Sequence, residues 1–467
     1  MTIANLDTIP AQIMARTNAS PNAPAIIFSD QTFSYSQLRD LASAFAINFQ
    51  KAGVDPTSTL RIKSNDLAVV LPAAIATAIL GARLVVGTPD QLPNVSITHT
   101  IVNSPFLSDT AVILVDGSYS PALFSTEMKA DVWPSAGRIN QNDIWMITAL
   151  TGRSYKTDPN VGLSQSALVE RSNAIENVQS GETKFASLWA ADSYWFLSDA
   201  LSVLMKGGAI VEQGPWSFWV ESGVDIVSGP AFTIGHEETQ QLPVFKASAG
   251  WMSKANIIGL LGSFEKVQIT VVCPEIGNIF STEYYLGADN ELVESSLGYG
   301  HKIEIVTASG NPGPLGTANL MRVQSLGGIP LESACSDGWL YPGLIAVAHE
   351  DGEITVLGVA SDDVISIDGN QILAALLDST LESCDGILEA VAFASPKPGS
   401  KEVIAFIVFE EGINRYQATA HATKACQNSF GLAFAPAKFR PISQIPRKPD
   451  GLVDREACAK LILNASA

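Results

Sequence analysis

Apolar residues recur along this chain at two spacings, and the changes between them mark its elements. Ala25–Phe28 and Thr32–Phe33 are short β-type runs on either side of Ser29–Asp30–Gln31, which predicts a hairpin. From Ser34 the period lengthens: Leu38, Leu41, Ala42, Phe45, Phe49 and Ala52 fall on one helical face. Ser34 and Gln37 form a capping box at its start, and Gly53 stops it. Ala68–Ala82 is the longest apolar run, interrupted by Pro72. It falls short of the roughly 20 residues needed to cross a bilayer, so it predicts a buried helix and no membrane span. An apolar strand at Trp145 leads into a Thr/Gly/Ser/Lys loop and then a helix from about Ser164. Ser187–Gly214 reads as a helix followed by a strand, and Val267–Gly287 as a β-branched run feeding a loop.

The stretch Asp337–Ile372 changes character again. It holds an apolar run, the Glu350–Asp351–Gly352 turn, β-type Ile354–Leu357 and a second strand, Val364–Ile367, closed by Asp368–Gly369. Beyond it, Ile372–Leu381 and Arg415–Cys426 read as helices and Val391–Ala394 and Val403–Val408 as strands. This describes a small α/β unit, and the junction predicts domains at 1–361 and 362–467.

A length of 467 residues supports two or three domains, and 46% hydrophobic with 16% charged residues describes a globular chain. The net charge of -19 argues against a nucleic-acid backbone or an anionic membrane surface as partner. Cys273, Cys335, Cys384, Cys426 and Cys458 are scattered and odd in number, which fits reduced thiols in the cytoplasm better than disulfides or zinc. The five histidines show no metal-ligand spacing, and the N-terminus places no basic segment before an apolar one, so no secretory signal is expected.

Several segments together resemble the adenylate-forming superfamily of acyl- and aryl-CoA ligases, luciferases and peptide-synthetase adenylation domains. PNAPAIIFSDQTFSYSQLRDLASAFAINFQKAG is similar to the opening strand–strand–helix of that fold, and LPAAIATAILGARLVVGTPD to its next helix and strand. ALLDSTLESCDGILEAVAFASPKPGSKEVIAFIVFEEG is similar to its mobile C-terminal domain. The resemblance implies an α/β fold with a large N-terminal domain of layered sheets and helices and a small C-terminal α+β domain. Asp362 would be the hinge. The N-terminal part is abbreviated between Glu212 and Pro243.

The same resemblance supplies candidate site residues. The family's phosphate loop, TSGTTGxPKG, corresponds to a place within Trp145–Ser166, where Thr148, Thr151, Gly152 and Lys156 remain. Backbone N–H groups of such a loop approach phosphates closely. Leu150 stands near the first glycine, Pro159–Asn160–Val161 replaces the Pro-Lys-Gly step, and Gln165 replaces a histidine. Either an ordinary polar loop or a weakened phosphate cradle fits these residues. Tyr194, Trp195 and Leu197 on the pocket helix, with Gly250, would line a carboxylate pocket. Trp216 and Trp219 either close that pocket or cover the sheet edge. Asn278–Glu283 matches N-x-YG-x-TE. Phe280 would stack on adenine with Ile279 in the aromatic's own register, Thr282 would contact phosphate, and Glu283 would hold Mg²⁺. The implied cofactors are Mg-ATP and CoA, and the implied partners a small-molecule carboxylate or acyl thioester, an active paralogue or a carrier protein.

The chemistry is altered at four places. The lysine of P-x-x-x-x-GK-x-x-R is Leu452, although Gly451 and Arg455 are kept. Losing one such transition-state contact costs on the order of a hundred- to a thousandfold in rate. The aspartate of DGW-x-x-TGD is Leu344, and the arginine of DGxxxxxGR is Val359. Together with the altered phosphate loop, these changes argue against efficient use of ATP. Arg447 and Lys448 read as solvated loop charges rather than substitutes for the lysine. Three functions remain open: a divergent homologue impaired in adenylation that keeps an acyl cleft, a working carboxylate–CoA ligase with compensating residues, and a repurposed ATP-independent enzyme.

Overall fold

The computed structural model describes residues 8–86, 95–103, 111–115, 144–149, 160–174, 183–230, 240–248, 252, 254–273, 277–289, 291–298, 301–307, 310–324, 339–350, 352–359, 364–367, 370–397, 399–410, 412–447 and 453–464. Among them the chain forms five sheets. The largest runs Leu292–Gly298, Gly277–Leu286, Phe264–Cys273, Leu242–Ser248, Ile226–Gly229, Lys184–Ser187, Ala209–Val211, Pro24–Ile27, Thr32–Ser34 in spatial order. Its middle is parallel and both its ends are antiparallel. A second sheet orders Ala111–Leu114, His99–Val102, Thr59–Ile62, Arg83–Val86, Ile144–Ala149, Asn160–Ser164, with only the last pair antiparallel.

Parallel strands need cover on both faces, and helices supply it. Helix Leu67–Leu80 is buried over Leu67–Ile79, so no face of it meets water. Its core joins Ile26, Phe185 and Ile210 of the first sheet to Leu60, Leu84, Ile101 and Met146 of the second. The helix is therefore a filling between two sheets, which is why its sequence lacks a polar stripe. Helix Tyr35–Lys51 packs beside it and carries the expected capping box: Gln37 N–H donates to Ser34 Oγ, and the Gln37 side chain accepts from Ser34 N–H.

A four-stranded antiparallel sheet follows: Lys302–Val306, Ala318–Gln324, Leu344–Ala348, Ile354–Val359. Next come the ribbon Val364–Ile367 with Asn370–Leu373 and the three-stranded sheet Ile387–Ala394, Val403–Phe409, Pro436–Pro441. Two core clusters are drawn wholly from residues between Ile365 and Ile462. The helix expected from Ile372 begins at Ala374, because Ile372 pairs with Ile365 in the ribbon. The segment expected to be a loop at Asn278–Glu283 is part of strand Gly277–Leu286, paired on both sides. Among the described residues no helix is long and apolar enough to cross a membrane.

Candidate functional site

Ser193 follows a turn after strand Lys184–Ser187 and caps helix Tyr194–Lys206, accepting from Phe196 N–H at 3.2 Å. That cap fixes where Tyr194 and Trp195 point. Trp195 stacks on Trp189 with ring centroids 5.9 Å apart, and Tyr194 meets Trp195 edge-on at 5.3 Å. Tyr194 is buried, and its hydroxyl accepts from Arg171 Nη1 at 3.4 Å. Burial raises the Tyr194 phenol above its ordinary range, and the Arg171 charge offsets part of that rise.

Arg171 joins this helix to the other candidate segment. Its aliphatic stem lies about 3.0 Å from where a Cβ on Gly277 would stand, and Gly277 has φ +85°. A side chain at 277 would thus be strained and would also strike the arginine. Beside it, His301 Nε2 lies 3.0 Å from the Asn278 carbonyl. Burial lowers the His301 pKa, the Asn278 bond opposes this, and Arg171 adds to the lowering. The imidazole is therefore held towards its neutral form, with Nε2 as the donor. Neither Arg171 nor His301 stands out in the sequence, since one is a single polar residue in a helix and the other one of five scattered histidines.

A second polar group crosses the same region. Lys246 Nζ donates to Asp199 Oδ1 at 2.7 Å, tying strand Leu242–Ser248 to helix Tyr194–Lys206, with both side chains largely buried. Trp216 and Trp219 lie elsewhere. They pack with Phe245 and Phe264 in a separate core, and Trp219 Nε1 donates to the Glu212 carbonyl.

The Asn278–Glu283 motif has a definite geometry. Extended strands send successive side chains to opposite faces, so Thr282 and Glu283 do not share one. Phe280 packs half-buried on an apolar cluster that contains Ile279, Val271 and Leu344. Ser281 Oγ bonds Thr270 Oγ1 at 2.9 Å, and Glu283 lies 3.8 Å from Lys266 Nζ. Thr282 pairs with Ile269 on one neighbouring strand and Ser296 on the other.

Leu344 opens its strand in direct register with Val359. It is 1% exposed, among Val271, Cys273, Ile305, Met321 and Val323. The two positions where the resemblance would put an acid and a base are thus cross-strand partners, and here both are aliphatic. Among the described residues this apolar cluster offers no side-chain acceptor for a ribose hydroxyl at 344, so those residues do not fit a ribose there. For Mg²⁺, Glu283 is a chemically suitable oxygen donor but already stands beside a lysine. Thr151, Gly152, Lys156, Gly250, Asp362 and Leu452 lie outside the described residues, as does the junction at 361/362. Arg447 is not a solvated charge: its side chain is 6% exposed and paired with Glu389. Sequence reading misses this because the carboxylate lies 58 residues away.

No protein-family model matches the chain. It is 32% identical to the sulfoacetate–CoA ligase of Cupriavidus necator over 128 residues, covering 27% of this chain and 25% of that protein. It is 20% identical over 481 residues to a component of the linear gramicidin synthase of Brevibacillus parabrevis, covering 93% of this chain and 9% of that protein. The chain thus spans a quarter or less of the length of these relatives. Among solved structures it is similar to the anthranilate CoA ligase AuaEII in complex with anthranoyl-AMP, with TM-score 0.76, 14% identity, and 100% of this chain and 99% of that one covered. A benzoate CoA ligase from Burkholderia xenovorans gives TM-score 0.75 and 14% identity over 97% of this chain and 99% of that one. The chain therefore has the fold of the adenylate-forming enzymes, and its likenesses in sequence and in structure are to CoA ligases and adenylation enzymes of that superfamily.

Proposed function

We propose that this chain is a divergent homologue of the ATP-dependent acyl- and aryl-CoA ligases, impaired in adenylation and retaining a cleft for a carboxylate or an acyl thioester. The observation that carries this reading is the burial of Leu344 in an apolar cluster, opposite Val359. Buried ribose hydroxyls left unpaired there would disfavour nucleotide binding by roughly 1–3 kcal/mol. Leu452 removes a charge that phosphoryl-type chemistry relies on for neutralisation. The aromatic group of Tyr194, Trp195 and Trp189, with Arg171 beside it, supports a retained pocket.

ATP–pyrophosphate exchange with a panel of carboxylates tests the impairment. The expected result is no exchange at micromolar enzyme; ready exchange would overturn the reading. Thermal shifts test the cleft, with a rise expected from CoA thioesters and none from Mg-ATP. The double variant Leu344→Asp, Leu452→Lys is expected to gain exchange activity if the pocket is still a ligase pocket. The similarity to the sulfoacetate–CoA ligase favours a second reading, a working carboxylate–CoA ligase, and wild-type exchange activity would decide for it.

A further inference from the structure

In the three-stranded sheet, strand Ile387–Ala394 is an edge, with backbone groups that need partners other than a strand. The helix Ala374–Glu382 supplies them. Ala392 N–H donates to Asp378 Oδ1 at 2.6 Å, and Ala390 N–H to Glu382 Oε1 at 3.0 Å. The spacing is a physical match: four helical residues rise about 6 Å and two strand residues about 6.6 Å, so alternate amides meet an i, i+4 pair of acids.

This carboxylate cap receives two arginines from two bridged stretches of chain. Arg455, opening helix Arg455–Asn464, donates to Asp378 Oδ2 at 2.6 Å. Arg447 pairs with Glu389 on the edge strand itself and also feels the charges of Glu382 and Asp378. The stretches are joined by the bridge Arg447↔Val453 and by Asp454 N–H donating to the Pro446 carbonyl at 2.9 Å. Asp454 then caps the last helix through Ala457 N–H at 2.8 Å.

Among these described groups three carboxyls face two guanidiniums, with Asp378 and Glu389 buried and Glu382 half-buried, so the five together carry no net charge only when one carboxyl holds a proton. Glu382 is the group for it. It ends its helix, where the dipole disfavours an anion, and has one backbone N–H as partner. We propose that the stretches 446–447 and 453–455, joined by the Arg447↔Val453 bridge, are held to the sheet edge by a proton-linked ionic clamp of Asp378, Glu382, Glu389, Arg447 and Arg455. Arg447 and Arg455 are then positioning residues for the two bridged stretches that carry them. The proposal does not rest on the function proposed above.

Burial, aided by Asp378, pushes the Glu382 carboxyl up to about 8, against the opposing Ala390 bond and Arg447 charge. The thiols that face the cluster, Cys426 and Cys458, are both pushed up to about 12 by burial, and Cys384 is raised as well, so none competes for the charge near neutral pH. The sign follows from an acid whose pKa is higher in the closed state. An open, hydrated Glu382 would ionise near 4.5, so opening becomes easier as pH rises from there to about 8 and then levels off.

Amide hydrogen exchange on the full chain, as protection factors from pH 6 to pH 9, tests the clamp. Protection at Ala390, Ala392, Asp454 and Cys458 is expected to fall by up to about tenfold per pH unit until about pH 8 and then flatten. Glu382→Gln should give a flat profile at the same amides. A flat wild-type profile, or the same slope in Glu382→Gln, overturns the proposal; if that variant does not fold, the wild-type profile decides alone. Because exchange is read without catalysis, failure here leaves the proposed function standing, and a silent Leu344→Asp, Leu452→Lys variant leaves the clamp standing.

Discussion

Replacing Lys246 by methionine tests how helix Tyr194–Lys206 is fastened to the large sheet. Lys246 and Asp199 are 7% and 9% exposed and meet at 2.7 Å. Methionine fills nearly the lysine's volume but leaves the Asp199 carboxylate without its cation. Asp199 Oδ2 is already without a hydrogen bond among the described residues, so little else there can compensate. Breaking a buried pair from one side costs about 3–5 kcal/mol, because the stranded charge keeps its desolvation penalty. Removing both charges in Lys246→Met, Asp199→Leu is expected to recover most of that loss, since an apolar pair of similar size needs no desolvation. Urea denaturation of the wild type, the two single variants and the double variant gives the coupling energy directly. The expected cycle shows two costly single variants and a double variant within about 1–2 kcal/mol of wild type. A Lys246→Met cost below about 1 kcal/mol, or a double variant no better than the single, would refute the reasoning. The first result would mean the pair is hydrated, and the second that the lysine's packing mattered rather than its charge.

Other perturbations follow from equally local geometry. Gly208→Ala places a Cβ 2.4 Å from the Thr183 carbonyl oxygen, so the backbone must shift; a loss of about 1–3 kcal/mol is expected by denaturation. Tyr35→Phe removes a hydroxyl whose proton is shared between the Leu204 carbonyl at 2.8 Å and that of Gly208 at 2.7 Å, leaving the end of helix Tyr194–Lys206 short of a donor. It should cost about 1–3 kcal/mol, and an unchanged Tm would count against the role given to that hydroxyl. Leu344→Asp alone buries a carboxylate in an apolar cluster and should lower Tm by several degrees; a variant as stable as wild type would mean that the site is hydrated.

The residues of this chain decide much of its local structure by themselves. The Thr32–Phe33 hairpin, the Ser34–Gln37 capping box and the burial of Leu67–Ile79 each follow from neighbours within a few positions, and each appears as expected. The same holds for most of the helices and strands after Val364, where periodicity is strong and turns are marked by glycine or asparagine. The overall frame was legible through ordered resemblance along the chain, which depends on many weak matches rather than on any one residue.

Charge and contact across long separations were decided only in three dimensions. A sequence cannot tell a solvated arginine from a buried one, since the difference lies in a distant partner: Glu389 for Arg447 and Asp378 for Arg455. It could not show that Arg171 would reach Tyr194 with its stem beside Gly277, or that Asp199 would meet Lys246 across 47 positions. Even the Asn278–Glu283 motif changes meaning once it becomes a paired strand, because pleating divides neighbours between two faces. Pattern fixes what is local, and burial of charge is settled by whatever tertiary packing brings to meet it.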